Sequence, residues 1–88
     1  MLYMIIEEFR DAVEVYRRLR IAGGQEPSGV TYVTSWVTPD MTHCYQVMET
    51  DDRSLLDEWI SLWEDLVEFE VVPVVTSESA QAKMAARM

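Results

Sequence analysis

Two runs of alternating character, Val30–Val37 and His43–Glu49, stand on either side of Pro39-Asp40 in the middle of the chain. Both mix β-branched and aromatic residues with polar ones at period two, the pattern of strands with one buried face. Proline presets φ and aspartate bonds its own backbone, so the intervening segment predicts a turn and the pair a β-hairpin. A hairpin alone is marginal in water. At the centre of an 88-residue chain it therefore requires each flank to supply strands that pair with it and helices that cover it.

The flanks read that way. Leu2 to Phe9 is an apolar run broken by Glu7 and Glu8, taken as the first strand and expected in the middle of a sheet. From Arg10 to Ala22 the period changes, with Ala12, Val15, Tyr16, Leu19 and Ala22 at helical spacing and Arg10, Glu14, Arg17, Arg18 and Arg20 opposite them. Gly23 and Gly24 supply a helix stop, and Gln25–Gly29 is a linker into the hairpin. After the hairpin, Thr50, Asp51, Asp52 and Ser54 are candidate caps for a helix carrying Leu55, Leu56, Trp59, Ile60, Trp63, Leu66 and Val67 inward. Phe69–Val75 is the last strand, with Pro73 marking an edge or an end. Residues 77–88 form an Ala-rich tail, expected as a short helix or a frayed end, outside a domain spanning 1–76.

The order βαββαβ predicts an α+β, ferredoxin-like fold: a four-stranded antiparallel sheet with two helices on one face and the other face bare. Period-two reasoning turns Leu2, Met4, Ile6, Val33, Val37, Tyr45, Val47, Phe69 and Val71 toward the helices. The bare face then carries Tyr3, Ile5, Glu7, Tyr32, Thr34, Trp36, Cys44, Gln46, Met48, Glu68, Glu70, Val72 and Val74. A one-residue slip in any strand exchanges its two sets, and the first and third strands are apolar on both faces.

Composition restricts function. Sixteen acidic against seven basic residues, for a net charge of −9, disfavour nucleic acid and anionic membranes as partners, since phosphate neutralisation needs clustered Lys and Arg. No apolar run approaches a membrane span and Met1–Ile6 lacks the flanks of a secretory signal, so a cytoplasmic location is expected. The lone Cys44 forms no internal disulfide. A single lysine, Lys83, among arginines fits a GC-rich genome or a salt-adapted cytoplasm equally.

Met1-Leu2-Tyr3-Met4-Ile5-Ile6-Glu7, Ser35-Trp36-Val37, Cys44-Tyr45-Gln46-Val47-Met48-Glu49, Leu56-Asp57-Glu58-Trp59 and Phe69-Glu70-Val71-Val72-Pro73-Val74 together resemble a family of small bacterial proteins of unknown function placed in the dimeric α+β-barrel superfamily. The resemblance covers Met1 to about Ser77. It implies a homodimer that pairs two bare sheet faces, in a superfamily of cofactor-free monooxygenases, lactone isomerases, haem-degrading enzymes, stress-responsive proteins and ligand sensors. Fold does not fix function there, and the family supplies no catalytic residues to carry over.

The candidate pocket or interface residues are Tyr3, Glu7, Tyr32, Trp36, Gln46, Met48 and Glu70. Glu7 and Glu70, if neighbours in a dimer cleft, offer a carboxyl of raised pKa as general base, with Gln46 or Tyr32 donating to an enolate-like oxygen. The plainer alternative leaves both glutamates solvated at the sheet rim, and Trp36 packing on a partner chain. His43 alone supports no metal site, no cofactor motif is present, and Cys44 reads as a small buried filler. Two functions remain: a homodimeric small-molecule-binding or stress-related module with its cleft between open sheet faces, or a cofactor-free monooxygenase or isomerase of a small aromatic or carbonyl compound.

Overall fold

The computed structural model describes residues 1–88. Its elements are β1 (Leu2–Phe9), α1 (Ala12–Ala22), β2 (Thr31–Val37), β3 (His43–Glu49), α2 (Arg53–Ser61), β4 (Val67–Val74) and α3 (Ser77–Ala85). The four strands form one antiparallel sheet in the order β2-β3-β1-β4, so β1 is central and the expected ferredoxin-like α+β arrangement is present.

Local chemistry accounts for the boundaries. Asp11 caps α1 by accepting from Glu14 N, and Asp52 caps α2 by accepting from Ser54 N. Gly23, at φ 70°, ends α1 with its N–H on Leu19 O. The hairpin turn rests on Asp40, whose Oδ1 accepts from Thr42 N at 3.1 Å and from the hydroxyls of Thr38 and Thr42, each at 2.7 Å. These bonds hold the Asp40 carboxyl below its ordinary range. Gly29 sits at φ +95°, and a Cβ there would lie 2.8 Å from Leu55 Cδ1, so glycine is required by both conformation and space.

The helical period after Asp52 overruns the helix. α2 stops at Ser61, and Trp63, Leu66 and Val67, expected within it, follow in tight turns and the first residue of β4. Trp63 N bonds Ile60 O and Leu66 N bonds Trp63 O, each at 3.0 Å, bonds to the third residue back that keep both side chains pointed inward. Arg18 of α1 secures this turn by donating to Leu62 O at 3.0 Å and to both Asp65 oxygens at 2.9 and 2.7 Å. Arginine from the first helix thus lies against the acidic turn that follows the second.

The core consists of Ile5, Val15, Val30, Met48, Leu56, Trp59, Trp63 and Val67, flanked by Tyr3, Phe9, Leu55, Ile60, Leu66, Phe69 and Val71. It lies on the face of the sheet covered by α1 and α2. The expected facing holds for β4, where Phe69 and Val71 look toward the helices, and is reversed in β1 and β3. Ile5, Glu7, Cys44 and Met48 are buried under the helices. Leu2, Met4, Ile6, Tyr45 and Val47 take the open face, in register with Val72, Val74, Thr34 and Trp36. In β2 the alternation itself breaks. Tyr32 pairs with Met48 and Thr34 with Val47, so Val33 is an extra, bulged residue. The bulge leaves Thr34 and Trp36 on the open face as expected but carries Tyr32 to the covered one.

No residue of α3 is buried. The shortest extent of the molecule is 17 Å against a longest of 49 Å. That thickness fits one sheet layer and one helix layer roughly 10 Å apart, so no third layer covers the open face.

Candidate functional site

Beneath α1 the covered face of the sheet is not fully filled. A cavity of about 330 Å³ lies between β1, β2 and β3 on one side and α1, the Gly24–Glu26 loop and the two tryptophans on the other. This is within the range of small-molecule sites, at its lower end. A larger depression of about 650 Å³ on the outer side of α1, along Val13, Arg17, Arg20 and Met41, is shallow and open to solvent. It has no enclosing wall to exclude water from a ligand.

The cavity is built by register. Glu7 lies opposite Cys44 across the β1–β3 ladder, and Gln46 follows two residues along on the same face. Ser35 and Val37 of β2 complete the sheet side. The bulge at Val33 brings Tyr32 round so that its hydroxyl meets Ser35 Oγ at 2.6 Å. From above, α1 contributes Val15, Tyr16 and Leu19. Phe9 stands edge-on to Tyr16, the ring centroids 6.1 Å apart. Trp59 and Trp63 close the inner end, and both indole N–H groups donate to Gly24 O, at 2.8 and 3.2 Å. That shared carbonyl fixes the loop after α1. The Glu26 carboxylate folds back against Gly24, with an oxygen 2.4 Å from where a Cβ would stand.

Glu7 is the exceptional group. It is 7% exposed, and its Oε2 is buried with no hydrogen-bond partner. Removal from water disfavours the charged form, so burial pushes the Glu7 carboxyl up to about 7, opposed in part by the Cys44 thiol donating to it. The same burial, with the neighbouring carboxyl, pushes the Cys44 thiol up to about 12. Cys44 is therefore a buried, protonated, unreactive thiol at neutral pH, as its sequence surroundings imply. Burial also raises the Tyr16 hydroxyl. No Lys, Arg or His lines the cavity.

Seven residues were candidates from sequence, and the structure separates them. Glu7, Tyr32 and Gln46 line the cavity. Met48 is in the core beside it, its sulfur 3.3 Å from Gln46 Nε2, and Tyr3 packs at the margin of that core under the Arg53 guanidinium. These five share a face, as expected, but it is the helix-covered face and not the bare one. Glu70 pairs with Ile6, while Glu7 pairs with Phe69. The two glutamates therefore point to opposite sides of the sheet and form no carboxylate pair. Trp36, opposite Tyr45, is 59% exposed at the open face.

Sequence reasoning missed the α1 wall, Tyr16 and Leu19, as part of a site, along with Ser35 and Glu26. Tyr16 carried a signal, since a hydroxyl on the inward stripe of a helix asks for a polar neighbour. Glu26 carried none, because its position depends on how the Gly23–Gly29 loop folds.

Outside this region, no three of the His, Cys, Asp and Glu side chains converge as metal ligands would, and no helix is long and apolar enough to cross a membrane. A family model described as a domain of unknown function, DUF3303, matches residues 1–88. No curated protein and no solved structure matches the chain.

Proposed function

The chain belongs to the DUF3303 family of domains of unknown function, and we propose that it is a small-molecule-binding module whose cavity lies between sheet and α1 in each protomer, and whose open sheet face joins two protomers. The observation that carries the reading is the Glu7 Oε2 atom, buried without a partner at the wall of an aromatic-lined cavity. Leaving a buried polar atom unpaired costs about 1–3 kcal/mol, and an apolar residue at position 7 would relieve that cost. A ligand that bonds to the carboxyl offsets it instead. The ligand site thus moves from the cleft between protomers, expected from sequence, to the interior of each one.

The dimer half of the proposal draws on the open face. Leu2, Met4, Ile6, Tyr45, Val47, Val72, Val74 and Trp36 form an uncovered apolar surface with Glu8, Glu68 and Glu70 toward one end. Such a surface on a small acidic domain fits association with a second copy.

Ligand binding is tested by a screen of small aromatic alcohols, amines and acids, read by ligand-observed NMR on the natural protein and on Leu19→Trp. Leu19 is at the cavity rim and 42% exposed, so tryptophan there fills the opening without disturbing the core. Hits that disappear in Leu19→Trp support the cavity. Hits that bind both proteins equally place the site elsewhere and sink the proposal.

A second reading, a cofactor-free enzyme that moves a proton on a small aromatic or carbonyl compound, draws on the burial of the Glu7 carboxyl beside Gln46 and Tyr32. A carboxyl raised to about 7 both accepts and returns a proton near neutral pH. Gln46 and Tyr32, in the same cavity, are the groups available to donate to a developing oxyanion. The two readings separate on turnover: an enzyme converts a cavity-bound compound and Glu7→Gln abolishes that conversion, whereas a binding module returns every bound compound unchanged.

A further inference from the structure

The ligand-cavity reading leaves the chemical class of the occupant open, and the next step rests on that reading. We propose that the cavity takes an organic base bound as its cation: a compact molecule with one ammonium, amidinium or protonated heteroaromatic nitrogen on a flat or apolar body, paired with the Glu7 carboxylate.

Three features of the lining converge on a cation. It holds two carboxyls, Glu7 on the sheet and Glu26 on the loop, with no basic side chain to balance them. An anionic ligand would have to be desolvated against two acids with no countercharge, which is unfavourable for either ion. Next, the walls present aromatic rings on both layers, Tyr32 from the sheet, Tyr16 from α1, and Trp59 and Trp63 at the inner end. Ring faces attract cations through their quadrupole, tryptophan most strongly, and Trp63 already carries the Arg18 guanidinium 5.4 Å from its centroid. Finally, Glu7, more than nine-tenths buried, holds an oxygen with no donor. A ligand N–H supplies the missing donor, and a positive charge on that nitrogen supplies the counterion that burial has removed.

Proton balance follows. In the empty cavity desolvation keeps a proton on Glu7 up to about pH 7. A ligand arriving as its cation displaces that proton to solvent and leaves an ammonium–carboxylate pair. A ligand arriving as the free base takes the proton from Glu7, and nothing is released. The other groups facing Glu7 do not confuse this exchange. Cys44 from β3 and Tyr16 from α1 are both raised and remain protonated at neutral pH. Tyr32 from β2 and Glu26 from the loop complete the titratable set, and Trp59, Trp63 and Phe69 are the neutral residues that α2, the following turn and β4 present.

The test uses three probes of matched size, benzylamine, benzyl alcohol and benzoate, titrated calorimetrically into the full-length natural protein at pH 6.5 in two buffers of different ionisation enthalpy. Benzylamine is expected to bind about tenfold more tightly than benzyl alcohol, with proton release to the buffer, and benzoate to give no heat. Glu7→Gln is expected to remove both the amine's advantage over benzyl alcohol and its proton release. The ranking of probes on the unaltered protein is read independently of that variant. If benzyl alcohol equals or exceeds benzylamine, or the amine's advantage survives Glu7→Gln, the cation is wrong and the cavity stands. If no probe binds, and none of the screened compounds distinguishes Leu19→Trp from the natural protein, cavity and cation both fall.

Discussion

The face of the sheet covered by α1 and α2 carries Glu7, Cys44 and Gln46, whereas the uncovered face carries Leu2, Met4, Ile6, Tyr45, Val47 and Trp36. Folding alone favours neither choice. Polar groups cost free energy under the helices unless they are paired, and Glu7 Oε2 is not. Apolar groups facing water contribute nothing to the stability of a lone protomer. Each face departs from the simple rule in the direction its proposed use requires, a polar anchor inside for a ligand and an apolar surface outside for a second copy. A chain of 88 residues has little stability to spare for departures without use.

The comparison breaks most readily with one residue type placed on each face. Trp59 is 4% exposed and its indole holds Gly24 O, while Trp36 is 59% exposed. Trp59→Ala is expected to cost about 3–5 kcal/mol of unfolding free energy in urea, enough to leave much of the protein unfolded at 37 °C. Trp36→Ala, measured at concentrations where the protein is monomeric, is expected to change it by less than about 0.5 kcal/mol. Equal losses would mean that Trp36 belongs to the protomer's own core and that the open face is not open.

The next largest effect is that of pH on the covered face. Because Glu7 rises from 4.5 to about 7 on folding, the folded chain holds its proton more tightly than the unfolded one. Stability from this group is therefore complete below the unfolded value and falls as pH rises through about 7. The full loss is roughly 3 kcal/mol. Asp40, Asp52 and Asp65 act in the opposite sense: hydrogen bonds lower them, so their contribution is present above the ordinary carboxylate range and is lost in acid. Glu7→Gln is expected to abolish the decline between about pH 5 and 8 and to leave the acid limb in place. An unchanged alkaline slope in that variant would show that Glu7 is solvated in solution.

The open face is sharpened by Trp36→Asp, which sets a charge opposite Tyr45. Light scattering over a concentration series is expected to show a dimer for the natural protein and at least about a tenfold weaker association for the variant, or 1.4 kcal/mol. A natural protein that stays monomeric removes the dimer from the proposal and leaves the interior cavity untouched.

How much of this could be read beforehand differs between the two faces for physical reasons. The hairpin, its Asp40 turn and the inward stripe Leu56 and Trp59 follow from local chemistry and period and stand where the residues place them, and Asp52 is the one of four candidate caps that the chain uses. The identity of the covered face does not follow. In β1 both Leu2, Met4, Ile6 and Tyr3, Ile5 are apolar enough to be buried. Glu7 and Gln46 favour placing their set outward, because carboxyls and amides ordinarily face water. That rule fails where a polar group is kept inside for a purpose. Five of the seven candidates, Tyr3, Glu7, Tyr32, Gln46 and Met48, share one side, the opposite of the expected one, while Trp36 and Glu70 take the other. The bulge at Val33 has no glycine or proline to announce it.

That bulge allows the finest discrimination between the faces. With unbroken alternation Tyr32 and Ser35 would project to opposite sides of β2 and could not interact. With Val33 extruded they meet on the covered side, Tyr32 hydroxyl to Ser35 Oγ at 2.6 Å. A double-mutant cycle of Tyr32→Phe and Ser35→Ala isolates that contact. Tyr32 is half exposed, so each single change is expected to cost no more than about 1 kcal/mol, with a coupling near 0.5 kcal/mol in urea unfolding. Strict additivity would return Tyr32 to the open face and restore simple alternation. It would also remove one aromatic wall from the cavity, and benzylamine affinity should then be indifferent to Tyr32→Ala. A measurable coupling, joined to weaker amine binding in Tyr32→Ala, ties the single irregularity of the sheet to the shape of the ligand site.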